Sequence, residues 1–280
     1  MQKSLPVDRL VTLPPFPAVA RKLMVLLARP NFTVPEASHL VRSDAVFAGE
    51  VLRLANSAMM GLRYEVVSIM HAISVLGMER LRNLVLTVAM RDFVRGAKPV
   101  GILRLCWRHN LAAALLAEAL GEDCNIERSD AYTAGLMHDL GRLALVAACP
   151  AEYAQVLAAR VMSSEELLAC EERLIGINHR DAGALLAEKW ELPSLLRELL
   201  CLGATARTGP FTVPRLAVVA CNLSDRLGFS LGECTDAWDL DWLKHQLPPA
   251  AWARFAPKAE GLRDATLLRL NAFESEFLPG

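Results

Sequence analysis

The sequence predicts an all-α protein, and three observations carry that expectation. Ala and Leu dominate a composition that is 53% hydrophobic, where a sheet protein would favour Val, Ile, Thr and aromatic residues. Apolar residues recur near a period of 3.6 in segment after segment, each bracketed by capping residues, proline or glycine. No stretch shows strand alternation over a convincing length, and no internal repeat is present.

Pro14, Pro15 and Pro17 break the entry segment, and Pro17 opens a helix expected through Arg29 with Leu23, Leu26 and Leu27 as its buried stripe. Thr33-x-x-Glu36 spells a capping box with Pro35 in the first turn, so a second helix runs to about Arg42. Ser43 is then read as the cap of a third, which carries Val46, Val51, Leu52 and Leu54. A short helix from Ser68 to Leu76 stops at Gly77. A longer one follows from Met78 to Arg95, with Leu81, Leu84, Val85 and Val88 on its core face. Gly96 to Gly101, with two glycines and a proline, is the best boundary, placing an N-terminal lobe at 10–96 and a second helical unit at 97–280.

The second unit opens with a helix from about Ile102 to Leu120 that holds Trp107 and His109. The loop after Gly121 leads through Ser129, read as an N-cap, into a helix carrying His138 and Asp139. Pro150 ends the next run, and Ala151 to Val161 is helical. Ser163-x-x-Glu166 is a second capping box whose helix stops at Gly176; Asn178 caps the following one, which contains His179. Pro193 starts a helix through Leu200, and Thr212 with Pro214 starts another through Leu227 with Asp225 in its last turns. Three short amphipathic pieces close the chain around Trp238, Trp242 and Trp252.

At 280 residues the chain is long enough for one large core or two ordinary ones. A formal net charge of -1 leaves no overall footprint for nucleic acid or an anionic membrane. No run reaches the ~18 apolar residues that span a bilayer, and the start has no apolar leader segment, so a cytoplasmic location without membrane association is expected. The seven cysteines form no C-x-x-C pair and sit mostly in apolar runs, as reduced core thiols do.

The stretch Ala131 to Leu143, "AYTAGLMHDLGRL", organises the rest. Ala131, Ala134 and Gly135 let a neighbouring helix approach closely, and Gly141 permits a helix end or kink. Adjacent helical residues point about 100° apart, so His138 and Asp139 reach one ion only near such an end. Imidazole plus carboxylate suits Zn, Fe, Mn or Ni. The same pair also fits a capping Asp beside a packed core histidine. His39, His71 and His245 lie among polar neighbours, and surface is the default for each. Arg80, Arg82, Arg91 and Arg95 share one helix with Glu79 and Asp92, which reads as a solvated face. Met59 and Met60 suit either a partner surface or a core gap.

The segments "LPPFPAVARKLMVLLA", "HLVRSDAVFAGEVLRLANSA", "ISVLGMERLRNLVL", "WRHNLAAALLAE", "GLMHDLGRL" and "INHRDAGALLAEKWELP" resemble successive blocks of the HDOD domain, over roughly Leu13 to Leu202. The resemblance implies an HD-domain-like helical bundle with an N-terminal helical lobe, found in bacterial signalling as a regulatory, non-catalytic relative of the HD metal phosphohydrolases. Its partners would be signalling proteins. The first matched block begins by Leu13, so no sensory domain is expected ahead of it.

The same resemblance places His109, His138, Asp139 and Asp225 at the metal positions of HD-type phosphohydrolases, where they would hold one divalent ion (Fe, Mn, Ni, Zn or Mg). Arg142 stands where the larger family commonly has Lys, and would contact phosphate. Such a site would lower the pKa of a bound water and polarise a phosphoryl oxygen. The chain departs from relatives that cleave cyclic dinucleotides, which resemble it at His179 but carry a further histidine pair where it has "LLCLGATA", and it lacks their Gly-Tyr-Pro stretch. No catalytic residue is therefore assigned. The alternatives are a single-metal phosphohydrolase for a nucleotide or phosphate ester, and a non-cleaving cyclic-dinucleotide binder with Arg142, His138 and Arg180 around a phosphate.

Overall fold

The computed structural model describes residues 6–27, 29, 31–56, 64–96, 101–159, 163–192, 196–197, 200, 210–231 and 239–277. They form helices and connecting turns, with no strand among them. The chain separates into two compact units, Pro15–Phe93 and a larger one made of Met1–Pro14 with Val94–Gly280. The segment 97–100, the Met59–Met60 pair, the Pro193 helix start and Trp238 lie outside the described residues.

The smaller unit holds α2 (Ala18–Leu27), α3 (Val34–Arg42), α4 (Ala45–Ala55), α5 (Ile69–Leu76) and most of α6 (Met78–Gly96). Thr33 and Glu36 close the expected capping box at the start of α3, satisfying two backbone N–H groups the helix itself leaves unpaired. At α4 the cap is Asp44 and not Ser43. The Asp44 carboxylate accepts from the backbone of Val46 and Phe47, whereas Ser43 terminates α3 and donates to the Leu40 carbonyl. Asn56 then pins Val66 by two hydrogen bonds, of 2.7 and 2.8 Å. Leu23, Val41, Phe47, Val51, Ile73, Leu81 and Val85 form the core. Arg91 departs from the solvated-face expectation. Its side chain is 3% exposed and pairs with Glu50 at 2.6 Å and Asp92 at 2.8 Å; it stands seven residues, two turns, after buried Leu84 and so on that residue's side of α6.

In the larger unit, α1 (Pro6–Val11) is an element the prolines did not suggest. It is held by Arg9 to Glu152 at 2.8 Å and by the Lys189 ammonium on the Val11 carbonyl. The frame is α7 (Gly101–Gly121), α8 (Arg128–Met137), α9 (Leu140–Ala148), α10 (Pro150–Ala158), α11 (Ser164–Ile175), α12 (His179–Lys189) and α13 (Val213–Ser224). Ala112, Ala113, Ala114 and Ala117 keep α7 slim where it is buried on all sides, and Gly135 of α8 lies so near it that a Cβ there would stand 2.5 Å from the Ala113 carbonyl oxygen. Ser129 is buried within α8, which begins one residue earlier at Arg128, so Ser129 is not its cap. Ser163 with Glu166 and Asn178 with Asp181 cap α11 and α12 as their spellings require. Gly176 ends α11 at φ 91°, a conformation open to glycine at little cost.

The C-terminal helices α14 (Leu240–Gln246), α15 (Pro249–Phe255) and α16 (Leu262–Phe277) close the unit. The last is longer than a short terminal piece, and Arg108–Glu274 at 2.9 Å and Arg269–Glu118 at 2.7 Å tie it to α7. Among the described residues, no helix is long and apolar enough to cross a membrane.

Candidate functional site

His138 and Asp139 stand at a break between helices. His138 ends α8 and Asp139 precedes α9. The break exists because Gly141, in the first turn of α9, receives the backbone of α12; a Cβ there would collide with the His179 carbonyl oxygen and come within 2.7 Å of the Gly183 nitrogen. α9 thereby leaves the line of α8 and packs on α12.

Two histidines meet at this break. His109, fully buried on α7, lies with its ring centroid 5.4 Å from that of His138. Their tautomers follow from their partners. The His138 Nδ1 is 2.7 Å from the Gly135 carbonyl, an acceptor only, so Nδ1 carries the proton and Nε2 is left as a lone pair. That Nε2 is shielded from solvent and has no partner. At His109, the Ser224 hydroxyl gives its one proton to the Cys221 carbonyl at 2.9 Å, so it must accept from the His109 Nδ1–H, also at 2.9 Å. The Phe229 carbonyl at 3.2 Å and the Asp225 carboxylate at 3.4 Å face the same nitrogen. The wide helical turn Asp225–Phe229, with Gly228 at φ 90°, brings that carbonyl back over the ring. The His109 Nε2 is thus an acceptor too, and Cys221 Sγ lies 3.6 Å from it.

The four metal positions inferred from the sequence are therefore brought near one another but not as one ligand set. Among the described residues, His109, His138 and Cys221 are the group whose donor atoms all lie within 4.8 Å of one another. Asp225 faces the opposite nitrogen of His109. The Asp139 carboxylate lies 3.0 Å from the Arg142 Nε, an ion pair without hydrogen-bond alignment, with side-chain exposures of 4% and 17%. Cys221 carried no signal beyond its place four residues before Asp225, one turn away on the same helix face.

Electrostatics follow from these contacts. Burial pushes the Asp139 carboxyl up, but Arg142 and the neighbouring histidines outweigh it and hold the group at about 2. Burial pushes His138 down to about 4 against the pull of Asp139, so the ring is neutral near pH 7. Burial, with Asp225 and Asp139, raises the Cys221 thiol well above its usual value. Arg142 stays charged, with Asp139 raising its pKa against burial.

His138, Asp139, Arg142, His179, Arg180 and Cys221 share a small cleft of ≈ 110 Å³. The residues proposed to surround a phosphate, Arg142, His138 and Arg180, are thus at one place, although Arg142 is already paired. His179 is the residue whose setting the sequence did not reveal. Its Nδ1 donates to Glu171 at 2.7 Å, and the same buried carboxylate accepts from Tyr153 at 3.0 Å. That fixes Nδ1 as the protonated nitrogen and leaves Nε2 as the ring's lone pair. His39, His71 and His245 are exposed, and the five described cysteines are free thiols.

The larger unit is thus a helical bundle with a His–Asp pair at a helix break and a second histidine on a facing helix. The chain belongs to the HDOD domain family, whose profile matches residues 13–202. A Treponema pallidum (strain Nichols) protein of uncharacterised function is 23% identical over 188 residues, which are 66% of this chain and 36% of that protein, so the chain spans about a third of that relative's length. Two solved structures share the fold. One, a candidate phosphohydrolase from Shewanella amazonensis SB2B, superposes with a TM-score of 0.69 at 23% identity, covering 96% of this chain and 99% of its own. The other, an HDOD domain protein with unknown function from Geobacter sulfurreducens, gives 0.68 at 22% identity, covering 97% and 95%.

Proposed function

We propose that this chain is a non-catalytic bacterial signal-transduction module that works by binding signalling proteins. The observation that supports this most is the Asp139–Arg142 pair. A hydrolase of the HD type needs the aspartate of its His–Asp pair to help hold a divalent ion, and here that buried carboxylate faces a half-buried guanidinium 3.0 Å away. An ion drawn to Asp139 would meet a guanidinium that cannot be deprotonated. Displacing Arg142 would leave a buried charge unpaired, at a cost of about 3–5 kcal/mol. Likeness to a candidate phosphohydrolase at 23% identity carries the fold and no activity.

One observation favours the second reading, a single-metal phosphohydrolase. His179, oriented by Glu171, lines the cleft that Asp139 lines, and an imidazole held in this way, with Nε2 as a lone pair, can take a proton from an attacking water. Residues for such a metal are His109 and His138, the latter with an unpartnered Nε2; a bound ion there would supply Lewis acidity to a phosphoryl oxygen.

The deciding experiment is elemental analysis of protein purified without chelator, followed by phosphodiester and phosphomonoester assays with Mn, Fe, Ni or Mg. No turnover in wild type is expected. Turnover lost in Asp139→Asn and in His179→Gln establishes the phosphohydrolase and overturns the regulatory reading.

A further inference from the structure

We propose that His109 Nε2, His138 Nε2 and Cys221 Sγ form a three-donor site for a thiophilic divalent cation of the zinc class, its remaining position facing the cleft. This is a different ligand set from the two histidines and two aspartates expected on sequence grounds. It does not depend on whether the chain is catalytic.

Three independent features point to it. Both histidines are fixed as Nδ1–H tautomers by acceptors on their outer sides, which is the arrangement that orients metal-binding imidazoles. Both therefore turn an Nε2 lone pair inward, and the one on His138 is shielded from solvent without a partner. The spacing also fits. Bonds of about 2.0–2.1 Å to nitrogen and about 2.3 Å to sulfur in a tetrahedral site keep N and S about 3.5 Å apart. Cys221 Sγ and His109 Nε2 are 3.6 Å apart, and His109, His138 and Cys221 each place a donor atom within 4.8 Å of the other two.

The charges balance as well. On binding, the Cys221 thiol gives its proton to solvent, so the cation meets one thiolate and two neutral rings. Asp225, on the outer nitrogen of His109, supplies the second negative charge from a position that orients the ring without ligating the ion. Asp139 and Arg142 neutralise each other beside it. A thiolate with two imidazoles selects zinc or cobalt over magnesium or manganese, which favour oxygen donors.

The test uses the full chain, stripped with chelator under reductant and titrated with Co(II) alone, followed by optical absorption and calorimetry. One equivalent of cobalt is expected, with a thiolate-to-cobalt charge-transfer band that zinc removes and excess magnesium does not. Cys221→Ser is expected to abolish the band and to weaken binding by more than the roughly 10–100-fold that losing an outer partner costs. Asp225→Asn keeps the band with a smaller loss, and Asp139→Asn keeps it too. Absence of cobalt binding, binding without the band, or a band that persists in Cys221→Ser overturns the proposal. Should Cys221→Ser fail to fold, the wild-type band and its loss in His138→Gln decide in its place. Every readout is independent of turnover, so its failure is separate from any failure of the functional reading.

Discussion

The Arg142 guanidinium and the Asp139 carboxylate form a buried pair one helical turn apart, at 3.0 Å, across the start of α9. Each is the other's counter-charge beside the break between α8 and α9.

Acid stability is the first consequence. The Asp139 carboxyl titrates near 3.8 when unperturbed and at about 2 when folded. A depressed carboxylate contributes stability that is complete above the unfolded value, and the contribution is lost as pH falls through about 2. Its size is about 2 kcal/mol. Urea unfolding of chelator-treated protein between pH 5 and 2 is expected to show this loss, and Asp139→Asn to flatten it. An unchanged slope in the variant rules the pair out as its source.

His138 acts over a higher window with the same sign. The unfolded chain protonates this ring near 6.5 and the folded chain only at about 4. The unfolded state therefore holds more protons between those values, and stability falls as pH falls from 6.5 to 4, by about 3 kcal/mol once the window is crossed. Melting temperatures recorded in chelator across this range are expected to drop more steeply for wild type than for His138→Gln. Parallel curves for the two proteins count against the burial described for this ring.

Close helix contact gives a third expectation. A methyl group on Gly135 would stand 2.5 Å from the Ala113 carbonyl and 2.6 Å from the Ala114 Cα. Backbone cannot yield as a flexible side chain does, so Gly135→Ala is expected to cost at least the ~1–3 kcal/mol typical of overpacking. Gly49→Ala, on open space in α4, is the control, and chemical denaturation of both measures the difference.

In the smaller unit, Arg91 is the buried cation and Glu50 its partner across to α4, at 2.6 Å. Truncating one side of such a pair costs about 3–5 kcal/mol. Arg91→Ala is expected in that range, and Arg91→Ala with Glu50→Ala to cost less than the two single changes together. Simple additivity would mean the pair carries no stability of its own.

Much of this was legible in residue order, and the exceptions share a cause. Thr33 with Glu36, Ser163 with Glu166, and Asn178 are local signals, each decided within four residues, and each caps the helix it announces. Ser43 misled because Asp44 beside it is an equally good cap, and only the chain's path chooses between them. Ser129 is absorbed into its helix, which starts one residue earlier at Arg128. At the site, His109 and the His138–Asp139 pair stand out by residue type. Cys221 and Glu171 do not, since a cysteine in an apolar run and a glutamate in a charged helix are ordinary until the fold sets them against histidines 112 and 8 residues away. Arg91 was misread for the same reason, its counter-charge being 41 residues distant.

The seat that Gly141 makes for the His179 carbonyl has a mechanical meaning. With no side chain between them, α9 and α12 touch backbone to backbone, and neither can be repositioned by a change of rotamer. Asp139 sits two residues before that seat and His179 is part of it, so the two walls of the cleft move as one piece. Anything that shifts α12 at His179 must carry the His138–Asp139 break with it. A ligand or partner gripping α12 would then be felt at the buried histidines as a displacement of main chain, passed along without any side chain to absorb it.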